Sequence, residues 1–248
     1  MMVRIDKVLV HVHDKYRPGA EAQAVLRECK RRGLPTETFP LKRLRRRQLE
    51  LSPTILVAGD LDAMSAVFDQ MEKTPRVLPS YPDSIRGLLH RKIWESTVSE
   101  ATSGDARGFF VKPRDREKRF TGFVYDGPLD NPGLSGASAT TRIYCSEVVD
   151  FVSEYRAYVV RGSIQAVAQY AGPTEAPPIE IAETALELLE RAGESVAGHS
   201  IDFGRLADGR PALVECNEGF GLGLYPGVDD DVYFELLEAR WVELMLQE

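Results

Sequence analysis

Two short stretches near the carboxyl end hold the residues best suited to chemistry. HSIDFG, at 199–204, sets Asp202 between apolar neighbours, and LVECN, at 213–217, sets Glu215 and Asn217 two apart. Residues two apart on a strand share a face. An Asp-Gly turn at 208–209 predicts a hairpin that brings Asp202 beside the pair. Two carboxylates and an amide oxygen are hard ligands that suit Mg²⁺, whose shell is completed by water and phosphate oxygens. The alternative is that all three face solvent. Their apolar flanks argue instead for a buried hairpin, where unpaired carboxylates are costly without a cation.

Three further stretches could bind anions or shape a pocket. FFVKP ends an aromatic strand on Lys112, which can hold an anionic group against a sheet. The loop after it, PRDREKRFTG, carries Arg114, Arg116, Lys118 and Arg119 before Thr121 and Gly122; it is either a solvated hairpin tip or a basic flap over a polyphosphate. In SEVVDFVSEYRAYVV, Glu147 and Glu154 lie seven apart and Arg156 shares a strand face with Glu154. An inward arginine is expensive unless it meets a carboxylate or a phosphate, which its planar fork fits. GFGLGLYPG, at 219–227, is either a plain turn or a loop whose backbone N–H groups at Gly221 and Gly223 hold a substrate carboxylate beside Tyr225.

Other residues read more simply. His11 and His13 alternate on one strand, and without a third ligand nearby they read as core or strand-end residues rather than a metal pair. His199 either supports Asp202 or fills its strand. Cys216 points away from Glu215 and Asn217 into apolar surroundings, with no basic partner to activate it. Trp94 and Trp241 pack helices.

The elements that must position these groups alternate along the chain. Strands are expected at 5–12, 35–39, 54–58 and 76–78, with helices at 19–32 and 61–72, giving a small open sheet with helices packed on it. A helix is expected at 83–101, then strands at 108–112 and 120–125, and a loop over 126–141 rich in Gly and Pro. Strands at 142–152, 154–161 and 163–170, a helix at 178–193, strands at 197–204 and 211–217, and a closing helix at 230–247 complete the pattern.

Bulk properties exclude several classes. The 248 residues, 43% hydrophobic and 28% charged, suffice for a substantial core without disulfide or metal staples. Three cysteines are no secreted disulfide framework, and the setting expected is a reducing cytoplasm. No apolar run approaches the roughly 18 residues of a membrane span, and charges interrupt the first residues where a signal peptide would be apolar. The net charge of −7 argues against a nucleic-acid partner on electrostatic grounds. Residues 1–50 nonetheless carry 13 Lys and Arg against 6 Asp and Glu, and KRLRRR at 42–47 is either a solvated edge or a strip for an acidic partner.

In order, these residues resemble the ATP-grasp superfamily: the lysine strand FFVKP, a hinge with a glutamate (SEVV), a glutamate seven residues on, an E-x-R strand (EYR), then DFG and ECN. The resemblance spans nearly the whole chain. It implies an α/β (α+β) fold: a small open pre-ATP-grasp β/α domain at 1–78, then an ATP-grasp domain at 79–248 with subdomains 79–145 and 146–248 and the nucleotide between two sheets.

The resemblance also implies roles. Lys112 would contact the α- and β-phosphates of ATP, and Glu147, Val148 and Val149 would line adenine. Glu154 would hold the ribose hydroxyls. Asp202, Glu215 and Asn217 would hold one or two Mg²⁺ ions, with Mn²⁺ as a substitute. Arg156 would bind the transferred phosphate and, with Lys112, act in catalysis. An upstream phosphate contact falls on Lys92, with Arg91 as its rival. The phosphate loop departs from the family's small-residue pattern; Lys118 and Thr121 are its candidates.

The implied activity is an ATP-dependent carboxylate–amine ligase of peptide type, acting through an acyl phosphate on an amino acid or peptide. The alternatives are a phosphotransferase and a non-catalytic nucleotide-binding module. The acceptor site of so compact a chain could be completed by a second copy or by a pathway partner protein.

Overall fold

The apolar run KVLVH forms β1 (Lys7–His11), whose Val8, Leu9 and Val10 are buried. It is the middle strand of a three-stranded sheet, flanked by β2 (Thr36–Phe39) and β3 (Ile55–Ala58), with both pairings parallel. Parallel neighbours need crossover connections. Here α1 (Ala20–Arg32) leads into β2, α2 (Leu41–Arg45) precedes β3, and α3 (Leu61–Gln70) follows it. Gly33 closes α1 at φ 66°, the left-handed position that glycine takes without steric cost. This computed structural model describes residues 3–13, 17–104, 107–114, 120–127, 132–134 and 137–247.

Two expectations fail just beyond this sheet. Residues 76–78 are not a strand: the N–H of Arg76 donates to the Gln247 side chain and that of Leu78 to Glu218, so side chains replace a ladder. The helix expected over 83–101 is a 3₁₀ turn at Asp83–Leu88, then β4 (Ile93–Thr97) and the short α4 (Val98–Ala101). Gly87 and the left-handed His90, at φ 50°, interrupt any helix, and the β-branched Ile93 and Thr97 find antiparallel pairing.

By packing, the chain divides into two units, 1–88 with 152–248, and 89–151. In the second unit β4, β7 (Arg142–Glu147), β5 (Phe109–Pro113) and β6 (Phe123–Tyr125) lie in that order, all antiparallel. Phe109, Val111, Tyr125, Ile143 and Cys145 pack on one face. Alternation sets Lys112 on the other face, opposite Tyr144.

The strand expected over 142–152 is therefore two. β7 ends at Glu147, and β8 (Phe151–Val160) belongs to the sheet of the first unit. That sheet runs β11 (Pro211–Glu218), β10 (Gly198–Leu206), β8 and β9 (Ser163–Ala171). The first unit also holds α5 (Ile179–Ala192) and α6 (Asp230–Leu246). One core joins β1, β3, α1 and α6 to Tyr158 on β8 and to Phe220 and Leu222 after β11. Residues 79–88 pack with the first unit, and Cys145 sits inside β7.

Candidate functional site

The hairpin of β10 and β11 opposes Asp202 to Glu215 and Ser200 to Asn217, so all four share one face. β8 lies next to β10 and delivers Arg156 to the same place. Arg156 Nε donates to Asp202 Oδ1 at 2.8 Å and Nη2 to Oδ2 at 2.7 Å. Asn217 Nδ2 donates to Oδ2 at 3.1 Å, and Ser200 Oγ approaches Oδ1 at 3.5 Å. Both charged partners are buried, Arg156 at 7% exposure and Asp202 at 3%. Burial works against the charge on Arg156, but the hydrogen bonds and charge of Asp202 outweigh it and hold the guanidinium protonated. Burial pushes the Asp202 carboxyl up, and Arg156 opposes that rise.

An aromatic wall completes this face. The Tyr225 ring lies 4.8 Å from the Arg156 guanidinium carbon and stacks on Tyr170 at 4.8 Å and 17°. Tyr170 Oη donates to Glu154 Oε2 at 2.9 Å. The ladder between β8 and β9 shifts register between Glu154 and Tyr155, leaving Tyr170 without an opposite residue. Such a bulge re-aims a side chain. Just beyond it, Gly172 at φ 85° lies so close to β8 that an added Cβ would sit 2.1 Å from the Val152 carbonyl oxygen.

The glycine-rich loop is built into the core rather than left as a plain turn. Phe220 and Leu222 are buried, and an added Cβ on Gly221 would sit 2.9 Å from Leu61 Cδ2. The Gly223 carbonyl accepts from Tyr158 Oη at 3.1 Å and Arg156 Nη1 at 3.4 Å. The Tyr225 N–H donates to Tyr158 Oη at 2.9 Å, and the Leu224 N–H to Glu21 Oε1 at 3.2 Å. The Leu224 and Tyr225 N–H groups, next to the Gly221 and Gly223 N–H groups expected to meet a substrate carboxylate, are thus engaged inside the protein.

Sequence reasoning misses Tyr158, Tyr170, Ser200 and Glu21. The spacing E-x-R-x-Y over 154–158 carries a signal for Tyr158. A bulge carries none for Tyr170, and Glu21 sits about two hundred residues from its partner.

In the second unit Glu147 ends β7, its Oε2 accepting from the Lys92 N–H at 2.8 Å while its own N–H donates to the Lys92 carbonyl at 3.0 Å. The Lys92 ammonium lies 5.8 Å from the Trp94 ring centroid. Arg91 stands by the Phe151 ring and donates to the Leu89 carbonyl. Val148 is exposed and Val149 half-buried in the segment joining β7 to β8. Thr121 is exposed ahead of β6; Lys118, with Arg116 and Arg119, lies outside the described residues.

His199 is buried, with Nδ1 on the Val196 carbonyl at 2.9 Å, and its odd spacing sets it on the face away from Asp202. Burial lowers its pKa and keeps it neutral. Cys216 is buried on that same far face, opposite Ile201. Trp241 packs within α6 as expected, but Trp94 is a strand residue.

No described helix is long and apolar enough to cross a membrane. A search of curated proteins finds no match. Among solved structures, the D-cycloserine synthetase DcsG aligns over 96% of this chain and 99% of its own, at 15% identity and a TM-score of 0.59. A RimK domain ATP-grasp protein from Sphaerobacter thermophilus DSM 20745 aligns over 94% and 99%, at 15% and 0.57. The ATP-grasp ligase PsnB, in complex with the precursor peptide PsnA2 and AMPPNP, aligns over 98% and 99%, at 14% and 0.50. At these identities the likeness establishes the fold, a mixed α/β ATP-grasp architecture. A family model for the ATP-grasp domain, the second family of its clade, matches residues 88–236, well over half of the chain, and the chain belongs to that ATP-grasp family.

Proposed function

We propose that the protein is an ATP-dependent carboxylate–amine ligase that joins an amino acid or peptide through an acyl phosphate. The observation that carries the reading is the face of Arg156, Asp202, Glu215 and Asn217, set inside a chain of the ATP-grasp family. The donor set fits Mg²⁺, since it offers two carboxylates and an amide whose nitrogen is committed to Asp202, leaving its oxygen as the ligand atom. Glu215, Asn217 and Asp202 would hold the ion, which supplies charge neutralisation on the phosphates of ATP; Mn²⁺ suits the same oxygens.

The chain's own residues do the rest by position and charge. Arg156, fixed by Asp202 and backed by Tyr225, offers a protonated guanidinium to a phosphoryl oxygen. Glu154, oriented by Tyr170, binds the ribose hydroxyls. Lys112 meets the α- and β-phosphates, Lys92 provides a second cation, and Glu147, Val148 and Val149 contact adenine; Thr121 and Lys118 complete the phosphate loop. These roles follow the family resemblance. Tyr225, Gly221 and Gly223 bound the acceptor end. On the same footing, 1–78 is the pre-ATP-grasp domain and 79–248 the ATP-grasp domain. A peptide acceptor draws support from PsnB, whose structure holds a precursor peptide.

The test is incubation with ATP, Mg²⁺ and pooled carboxylates and amines. A ligase releases ADP and phosphate only when both pools are present, and mass spectrometry finds a new amide. A stable phosphorylated product would make the protein a phosphotransferase. ATP binding without turnover on any pool would make it a nucleotide-binding module.

A further inference from the structure

A second constellation lies at the carboxyl ends of the parallel strands, in the sheet the proposed chemistry does not use. His11 is the last residue of β1, and His13 follows two residues on. Asp60 follows β3, the parallel neighbour of β1, and caps the start of α3. Chain direction brings both strand ends to the same side, the edge of an open α/β sheet where ligands gather. His11, His13 and Asp60 each offer one ligand atom, a ring nitrogen or a carboxylate oxygen, and the three atoms lie within 4.8 Å of one another.

Several features fix this arrangement. Asp60 Oδ1 accepts from the Ala63 N–H at 2.9 Å. That leaves Oδ2 for the imidazoles, 3.0 Å from His13 Nε2 and 3.5 Å from His11 Nδ1. The two rings meet edge-on, with centroids 4.7 Å apart. Gly59 permits the approach, because a Cβ there would sit 2.9 Å from Ala63 Cβ and 3.1 Å from His11 Cβ. The His11 side chain is 3% exposed and that of His13 80%, so one ligand is anchored and the other can swing.

We propose that His11, His13 and Asp60 form a binding site for a borderline divalent transition cation of the Zn²⁺ class, apart from the oxygen-only set around Asp202. Two imidazoles and one carboxylate suit Zn²⁺, Co²⁺, Ni²⁺ or Fe²⁺ and not Mg²⁺, which demands oxygen ligands. Metal–ligand distances of about 2.0–2.2 Å in a tetrahedral shell set ligand atoms roughly 3.3–3.6 Å apart. The two Asp60 separations, 3.0 and 3.5 Å, already approach that spacing, and rotation of the exposed His13 closes the third edge. Three protein ligands leave at least one coordination position for water or for a carboxylate or amine of a bound molecule. Among the described residues no other group of three His, Cys, Asp or Glu side chains converges in this way. The proposal does not depend on the ligase reading.

The test uses the full chain, stripped with a chelator and kept in excess Mg²⁺, titrated with Co²⁺ while its visible d–d absorption is followed. One equivalent of Co²⁺ should bind, give a tetrahedral or five-coordinate spectrum without thiolate charge transfer, and be displaced by Zn²⁺. His13→Ala should weaken binding at least about 10-fold, as should Asp60→Asn, which keeps the helix cap. His13 is exposed, so His13→Ala should melt like the parent without metal. Zn²⁺ should raise the melting temperature of the parent but not of His13→Ala. Glu215→Ala should bind Co²⁺ normally, which separates this site from the proposed ligase site. An absence of Co²⁺ absorption, or binding unchanged in both His13→Ala and Asp60→Asn, would overturn the proposal.

Discussion

Arg156 grips Asp202 with two parallel hydrogen bonds, 2.8 and 2.7 Å long, from one β-strand to its neighbour in a buried setting. Removing one partner of a buried pair strands a charge and typically costs about 3–5 kcal/mol. Arg156→Met and Asp202→Leu should each destabilise the chain on that scale in urea unfolding. The double variant should lose clearly less than the two summed, because neither charge is left alone. Additive losses would mean that the pair is not coupled.

The same pair bears on the proposed activity. Glu215 and Asn217 are half-buried on a strand whose core contacts lie on its other face. Glu215→Ala and Asn217→Ala should therefore abolish amide formation while circular dichroism shows the fold intact; Asn217→Ala should also melt somewhat lower, because it removes the hydrogen bond to Asp202. Turnover surviving in either variant would remove that residue from the cation site. Lys112→Ala should weaken ATP binding at least 10-fold in calorimetric titration; normal affinity would remove it from the phosphate contacts.

Tyr170 couples the bulge on β9 to Glu154 through one 2.9 Å hydrogen bond. Tyr170→Phe keeps the ring stacked on Tyr225 and deletes only the donor. A lost hydrogen bond to a charged acceptor costs about 1.5–3 kcal/mol when the acceptor stays dry and less when water replaces the donor. Under the ligase reading, ATP affinity should fall several-fold with little change in kcat, since Glu154 is assigned to ground-state binding of the ribose. A fall in kcat at unchanged affinity would move Glu154 out of that role.

The parts of this arrangement set by local pattern are legible in the sequence. The alternation in LVECN and the Asp-Gly turn place Asp202, Glu215 and Asn217 on one face, and an inward Arg156 implies a carboxylate or phosphate partner. That the partner is Asp202 follows from the order β11-β10-β8, which no local pattern encodes. The stretch 83–101 misleads because Ile93 and Trp94 mimic helical spacing, whereas their state is set by pairing with β7, some fifty residues on. Local pattern makes His11 and His13 strand-end residues because their third neighbour, Asp60, joins them only through the parallel pairing of β1 with β3. Non-local pairing decides each of these outcomes.

Glu28 offers a pH test away from the proposed chemistry. Its side chain, on α1, is buried against the guanidinium groups of Arg31 at 2.6 Å and Arg32 at 2.5 Å. Hydrogen bonds from Arg31 and then Arg32 outweigh burial and hold its carboxyl down at about 2 against the usual 4.5. A folded-state value below the unfolded one means that the stabilisation is present above about pH 4.5 and is lost as pH falls toward 2. Arg31 is 64% exposed, so solvent screens part of the interaction. At neutral pH the Glu28→Gln variant should be about 1–2 kcal/mol less stable than the parent. Arg32 also packs over the Phe234 ring of α6 at 4.6 Å, so part of the loss should appear as looser docking of α6 on α1. Urea unfolding at a series of pH values checks the sign: the gap between parent and variant should hold constant from pH 7 to about 5 and close progressively below it. A gap that persists undiminished at pH 2 would show that Glu28 acts through packing alone, not through its charge.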